Sequence, residues 1–408
     1  MNRIMQILLI IFCFVILSTK LLAQFAGGTG TEEDPYIVES AEHLNAVRNY
    51  LDSHFVQNSN IVLDTIPYNI DEGWDPIGDE DNRFRGTYNG QEYNITNLFI
   101  NRPTQNYIGL FGYIGGSAEI LNVYLENVDV SGYSYVGVIC GYKLYSDIVN
   151  CSSSGNVSGR NFVGGLIGYS ENYGHINNCH SVVTINGNDN VGGLVGENDF
   201  NSYIIYCSTH CTVSGNSKVG GLVGWNEDDS SISYCYSSGS TTGIHIVGGL
   251  VGWNCSQSSI YCCYNTGTIT GYDYVGGLVG WNCFAQSIIS NSYNTGDVTG
   301  NKYIGGLVGR NKDSIISNSF YNFESASING EYSKLTIGAA NNEKFTEWLN
   351  NGLVLNINDY LEYDGTSYTI SSIEELENLV FFGLYSEYSF KLLNDIDLGN
   401  NPNFYIPY

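Results

Sequence analysis

Basic residues are scarce. The chain has 15 Lys and Arg against 41 Asp and Glu, a net charge of −26 over 408 residues. Removing Arg3 and Lys20 with an amino-terminal leader leaves 13 basic residues, and the deficit widens to −28. A chain this acidic repels nucleic acid and anionic lipid surfaces. Histidine is also rare, and the six His share no position in the pattern described below. No His-based nucleophile, His metal site or His-Glu-x-x-His helix can be built from them. Paired Cys-x-x-Cys spacings of the zinc type are missing as well; Cys262-Cys263 and Cys207-x3-Cys211 do not substitute for them. One apolar run, Ile7 to Leu17, is present near the start and no second follows. That run is too short to span a bilayer unaided. With Arg3 before it and Ala23 ahead of Gln24, residues 1–23 read as an export signal.

The rest of the chain is rich in Gly, Ser, Asn, Tyr and Val, and it repeats. The string Val-Gly-Gly-Leu-Val-Gly occurs at Val191, Val219, Val247 and Val275, with variants at Ile108, Val136, Val163 and Ile304. Its first glycines are Gly109, Gly137, Gly164, Gly192, Gly220, Gly248, Gly276 and Gly305, an almost even step from each to the next. Short β-forming segments between glycines, at a period of about 28 residues, predict a solenoid with one coil per unit. A coil cannot bury its own apolar face. Stacking pairs its backbone with the next coil at ~4.8 Å, so eight coils make a rod of roughly 40 Å. Glycine at this density rules out a helical repeat, at about 1 kcal/mol per helix position. A β-propeller blade needs ~40 residues or more. The expected fold is therefore all-β, a right-handed parallel β-helix-like solenoid of about eight such coils with short helical caps.

The Gly-Gly-Leu-Val-Gly strings at this spacing resemble the GLUG-motif repeat of bacterial surface proteins, over Ile108 to about Phe323. Phe111 and Val138 depart from the pattern in the first two units. The resemblance implies a secreted or cell-surface scaffold of the adhesin type, with glycans or surface proteins as partners and no cofactor. The repeat also occurs in relatives of IgA peptidases. It is the scaffold of such proteins, so the expectation from the resemblance is a chain that is not an enzyme.

Domain boundaries follow from the repeat. Residues 24–100 are expected to form an N-terminal cap, with Leu44, Val47 and Leu51 on a short helix; 101–323 form the solenoid; 324–366 form a C-terminal cap with a helix near Lys344 to Leu349. From 367 the capping module begins again. Tyr368 to Leu376 echoes Tyr36 to Leu44, and Ser372 with Glu375 reads as a capping box. Residues 367–408 are expected either as a truncated second module of a longer array or as a dedicated cap that reuses the module.

Four columns carry candidate chemistry. Cys151, Cys179, Cys207, Cys235 and Cys263 fall in one column, expected as a buried thiol ladder behaving as small hydrophobes. Cys255 and Cys283 share another and are the pair best placed to bridge. Asn198, Asn226, Asn254, Asn282 and Asn311 are expected to stack as amides hydrogen-bonded from coil to coil. Trp225, Trp253 and Trp281 continue a column from Tyr113, Tyr142, Tyr169 and Glu197 to Arg310. Facing outward, the Trp would form a flat strip on which sugars stack; turned in, they would shield the turn or the Asn ladder. Asp199 and Glu227 share a turn column beside Asp228 and Asp229. Three readings stay open there: a glycosidase-type carboxylate pair, as in a polysaccharide-degrading β-helix; oxygen ligands for Ca²⁺; or a solvated acidic turn.

Overall fold

The computed structural model describes residues 24–396 except 285, 333, 354–355 and 383–387. Residues 1–23, expected as an export signal, and the last residues of the expected second module lie outside them.

One coil shows how the sequence makes the fold. Asp189–Gly192 is a strand, and the chain then turns at Gly193 into Val195–Asp199. It turns again into Tyr203–Ile205, then runs through Ser208–Thr209 and Thr212–Ser214 before starting the next coil at Ser217. Every strand pairs in parallel and in register with its counterpart one period on: Val191 with Val219, Val195 with Val223, Ile204 with Ile232, Val213 with Thr241. The described strands form four long sheets of 11, 7, 8 and 16 strands, wrapped around one core. Inward positions supply that core. In this coil Val191, Leu194, Val195, Ile204, Cys207 and Val213 are all at most 1% exposed. Each fully buried Val, Leu or Ile contributes about 1.5–3 kcal/mol, and the gain exists only because neighbouring coils cover both sides.

The motif glycines are there for close approach. A Cβ on Gly220 would lie 1.9 Å from the Val223 carbonyl oxygen, and one on Gly221 would lie 2.1 Å from the Gly249 oxygen and 2.3 Å from Ser237 Oγ. The second glycine thus leaves room for a buried hydroxyl from the opposite wall. Thr209 Oγ1 donates to the Gly221 carbonyl at 2.7 Å, and Ser153 Oγ to that of Gly165 at 2.9 Å. Left-handed backbone, by contrast, sits mostly on residues other than glycine. One such column runs through Tyr107, Tyr135, Phe162, Asn190, Lys218, Ile246, Tyr274 and Tyr303, and another through Asn122, Asn150, Asn178, Tyr206, Tyr234, Cys262, Asn291 and Asn318. Asn tolerates this conformation best. In the second column its amides also link coils, Asn150 Nδ2 donating to Asn122 Oδ1 at 2.6 Å.

The 11-strand sheet begins at Tyr36–Val38, followed by His54–Gln57 and Thr87–Asn89, all within 24–100. The stretch expected as a cap therefore contributes paired rungs of its own. A helix at Ala41–Ala46, capped by Ser40 Oγ, lies beside them. At the other end Ala339–Ala340 pairs with Phe320–Asn322. The helix Asn342–Asn350 then brings Phe345 and Trp348 into a second core with Phe320, Ile370 and Phe382. Tyr368–Ile370 is a strand and Ile373–Glu377 a helix, the same strand-then-helix order as Tyr36–Val38 and Ala41–Ala46. Ser372 Oγ accepts from the Glu375 N–H at 3.1 Å, and Glu375 Oε2 accepts from the Ser372 N–H at 3.2 Å, closing the capping box.

Candidate functional site

The eight-strand sheet, from Phe111–Ile114 to Val308–Lys312, carries most of the candidate residues. Strand alternation sends neighbours to opposite faces. Asn198, Asn226, Asn254 and Asn282 are 0% exposed and turn inward. Each donates Nδ2 to the Oδ1 of the next, at 2.9, 2.8, 2.8 and 2.8 Å, ending on Asn311. The amides all point one way, so the stack has an acceptor end at Asn198, whose Oδ1 has no partner among the described residues. The two preceding positions of this column are Ser170 and Lys143. Lys143 is fully buried and donates to Ser170 Oγ at 3.2 Å. Burial lowers its pKa to about 8. A cation placed toward the negative end of an aligned dipole stack is the electrostatic complement to that stack.

The five ladder cysteines are buried and free. The N–H of Cys179, Cys207 and Cys235 each points at the next Sγ, at 3.4, 3.3 and 3.4 Å, and the column continues into Ser292 Oγ at 3.0 Å. Burial is the first influence on all five thiols and opposes the thiolate; it raises Cys151, Cys207 and Cys263, while hydrogen bonds from the neighbouring thiols pull Cys179 and Cys235 the other way. Closure of the column from solvent keeps reagents from all five. Cys255 and Cys283 stand in register on adjacent strands as free thiols. Burial pushes them up to about 12 and about 11.

The three Trp are half-buried and stack on one another. Their ring centroids lie 5.1 and 5.2 Å apart with interplanar angles of 9° and 7°. Faces turned toward each other are not turned toward solvent, so the strip offers ring edges. This corrects the flat sugar platform at Trp225, Trp253 and Trp281: the coil spacing is close to the thickness of stacked rings, and the rings close up. Lys218 Nζ sits 3.4 Å from the Trp225 centroid and Arg310 5.0 Å from that of Trp281, adding cation–π attraction.

Glu197 interrupts this aromatic column, and beside it the acidic residues converge. Glu197, Asp199 and Glu227 each place a carboxylate oxygen within 4.8 Å of the others. Glu197 and Asp199 are both 3% exposed and Glu227 is half-buried, so two of the three do not sit in a solvated turn. Asn190 Nδ2 donates to Glu197, and Tyr169 Oη to Asp199 at 2.5 Å. Burial, then the charges of Glu227 and Asp199, raise Glu197 to about 9. Burial, then Asp199 and Asp228, raise Glu227 to about 7. Hard oxygen donors alone would suit a divalent cation of the Ca²⁺ kind. A protonated carboxyl beside an ionised one is also the pairing that acid–base hydrolysis uses. In this conformation the closure of Glu197 and Asp199 from solvent keeps a polysaccharide away from them. Sequence reasoning named Asp199 and Glu227 but missed Glu197 as their partner. The available signal was an acid in an otherwise aromatic column.

Comparison with known proteins places these features. The model of the GLUG motif matches residues 160–186, 215–242 and 271–299, so the repeat in this chain is the GLUG repeat. A "Putative Gly-rich membrane protein" of Evansella cellulosilytica is 46% identical over 133 residues, 31% of this chain and 15% of that protein. "Halomucin" of Haloquadratum walsbyi is 34% identical over 165 residues, 38% of this chain and 2% of that protein. The chain thus spans a small part of the relatives it matches. Among the described residues no helix is long and apolar enough to cross a membrane. Among solved structures it resembles a "putative immunoglobulin A1 protease" from Bacteroides ovatus, with 20% identity, TM-score 0.46, and 84% of this chain and 93% of that one covered. It also resembles an "IgA1 Protease", with 18% identity, TM-score 0.40, and 68% and 21% covered. The expectation of a chain that is not an enzyme is corrected by these two likenesses, because proteases stand among the structures it resembles. At such identities they carry no reaction over to this chain.

Proposed function

We propose that the chain is an exported, surface-displayed repeat scaffold of the adhesin type that engages glycans or surface proteins along its length. The observation that carries this reading is the outer face of the 16-strand sheet. There Asn156, Thr184, Thr212, Ser240 and Thr268 follow one another in register, with Ser158, Asn186, Ser214, Thr242 and Thr270 alongside. A surface whose chemistry repeats at every coil suits many weak contacts with a repetitive or extended partner, and multivalent contact of that kind gains avidity without a single deep site. The acidic balance keeps such a rod soluble outside the cell. The GLUG repeat and the names of the two relatives support a place at the cell surface.

The test is made on intact cells of the native host. Antibody to the solenoid should label whole cells, and added protease should remove the signal. The same full chain on glycan and surface-protein arrays should then retain at least one class of partner. A solenoid shielded in intact cells, or one that retains nothing on either array, overturns the reading. Polysaccharide and peptide hydrolysis assays on the full chain, with Glu227→Gln beside it, address the carboxylate cluster directly. Turnover lost in that variant would replace the scaffold reading with a catalytic one.

A further inference from the structure

Two columns run side by side on the outer face of the eight-strand sheet, and the bonds between them run diagonally. The first column holds Tyr142, Tyr169, Glu197, Trp225 and Trp253; the second holds Glu171, Asp199, Glu227, Cys255 and Cys283. Each member of the first column points at the member of the second that lies one coil further on. Tyr142 Oη donates to Glu171, Tyr169 Oη to Asp199, Trp225 Nε1 to Cys255 Sγ at 3.1 Å, and Trp253 Nε1 to Cys283 Sγ at 2.9 Å. The next position of the second column is Lys312, whose side chain carries no acceptor, and Trp281 Nε1 is left without a partner among the described residues. Four rungs of this ladder therefore rest on a ring-borne O–H or N–H. The middle rung has a carboxyl at both ends, because Glu197 stands where the others have Tyr or Trp.

We propose that Glu197 fills the donor position with a proton of its own, hydrogen-bonded to Glu227, so that this rung closes while Glu197 is protonated and opens as pH rises. A buried carboxylate facing another has no hydrogen to offer, and the two repel. The groups around the pair push the same way. From its own strand Glu197 faces Asp199; from the next coil it faces Glu227, with Asp228 behind; from the preceding coils come the Tyr169 and Tyr135 hydroxyls, with Glu171 beyond Asp199. From the corner column Asn190 donates its amide to Glu197. Lys218 is the nearby cation, and its ammonium is drawn over the Trp225 ring while burial lowers its pKa. The raised pKa of Glu197 agrees with this geometry, and the bond to Glu227 is among its causes. A carboxyl whose folded pKa lies above its unfolded one gives its full stability below about pH 4.5. That stability declines as pH climbs to the folded value, here about 9. The solenoid thus carries an alkali-sensitive joint in its middle coils.

The experiment compares urea unfolding of the full chain with that of Glu197→Gln and Glu227→Gln from pH 5 to 10, with chelator present. A Gln amide donates at every pH, so Glu197→Gln should lose the joint's pH dependence, and Glu227→Gln, whose amide can donate to an ionised Glu197 that stays buried, should weaken it. Relative to Glu197→Gln, the wild-type folding constant should fall by up to about tenfold per pH unit across the neutral-to-alkaline range. An infrared carbonyl band of a protonated carboxyl, present in the wild type at neutral pH and absent in Glu197→Gln, is the second readout and needs no unfolding. Parallel pH profiles for all three proteins, or no such band in the wild type, overturn the proposal. So does calcium protection at neutral pH that Glu197→Gln removes, since a cation would then hold the rung in place of the proton.

Discussion

Replacing Asn254 by Ala cuts the amide ladder at its centre. The Asn254 side chain is 0% exposed. It accepts from Asn226 Nδ2 at 2.8 Å, donates to Asn282 Oδ1 at 2.8 Å, and reaches the Ser258 carbonyl at 3.3 Å. Removing it strands the Asn282 oxygen inside the protein, while the Ser258 carbonyl keeps its bond from the Ile288 N–H at 2.9 Å. Asn226 Nδ2 keeps only its longer contact to the Ser230 carbonyl at 3.4 Å. One buried polar group left unpaired and a second left weakly paired, at about 1–3 kcal/mol for each unpaired group, put the destabilisation at about 2–4 kcal/mol. Asn311 ends the ladder and is half-buried, and its replacement should cost about 1 kcal/mol. Because coil stacks unfold in segments, the quantity to compare is the shift of the urea midpoint, read by circular dichroism on the full chain. Equal midpoint shifts for Asn254→Ala and Asn311→Ala, or a shift below that expected for about 1 kcal/mol at Asn254, would refute the ladder as an energetic unit.

Further outcomes follow from other columns. Gly248→Ala places a Cβ 2.0 Å from the Val251 carbonyl oxygen and 2.8 Å from the Gly280 nitrogen. Neither is a side chain that can yield, so a loss of about 3 kcal/mol or more is expected from thermal unfolding. Brief alkylation of the native chain should modify Cys262, which is half-buried, before the five ladder thiols, as read by peptide mass spectrometry after quenching. Trp253→Ala removes two ring stacks and the donor to Cys283. It should lower the unfolding midpoint while leaving glycan-array signals unchanged, because the faces it removes are already occupied.

The solenoid was legible because chemistry recurs at a fixed step: the Val-Gly-Gly string returning at Val191, Val219, Val247 and Val275 is visible without any coordinates. The rungs inside 24–100 were not. Tyr36, Phe55, Tyr88 and Ile120 pair in succession, yet the lengths of chain between them are unequal and none matches the step of the later coils. Loops of unequal length hide the stack from any search for a period. The Asn and Cys columns could be drawn from spacing alone, since strand register carries equal positions to equal faces. Ring orientation at Trp253 could not, because spacing places a Cβ and does not turn a ring. The Glu197 joint needed two columns and a diagonal bond between them. A list of equal positions holds each column separately and says nothing of what reaches across.

Spin labels introduced as unnatural amino acids at Asn186 and Thr299 test the central claim most directly. The two positions are far apart in sequence but are linked through Ser214, Thr242 and Thr270 by four successive parallel pairings. At ~4.8 Å per rung, a stack in register puts their backbones roughly 19 Å apart, and pulsed electron resonance should return one narrow distribution near that value once the label linkers are included. A broad distribution, or one centred far beyond it, would contradict a coil-on-coil ladder.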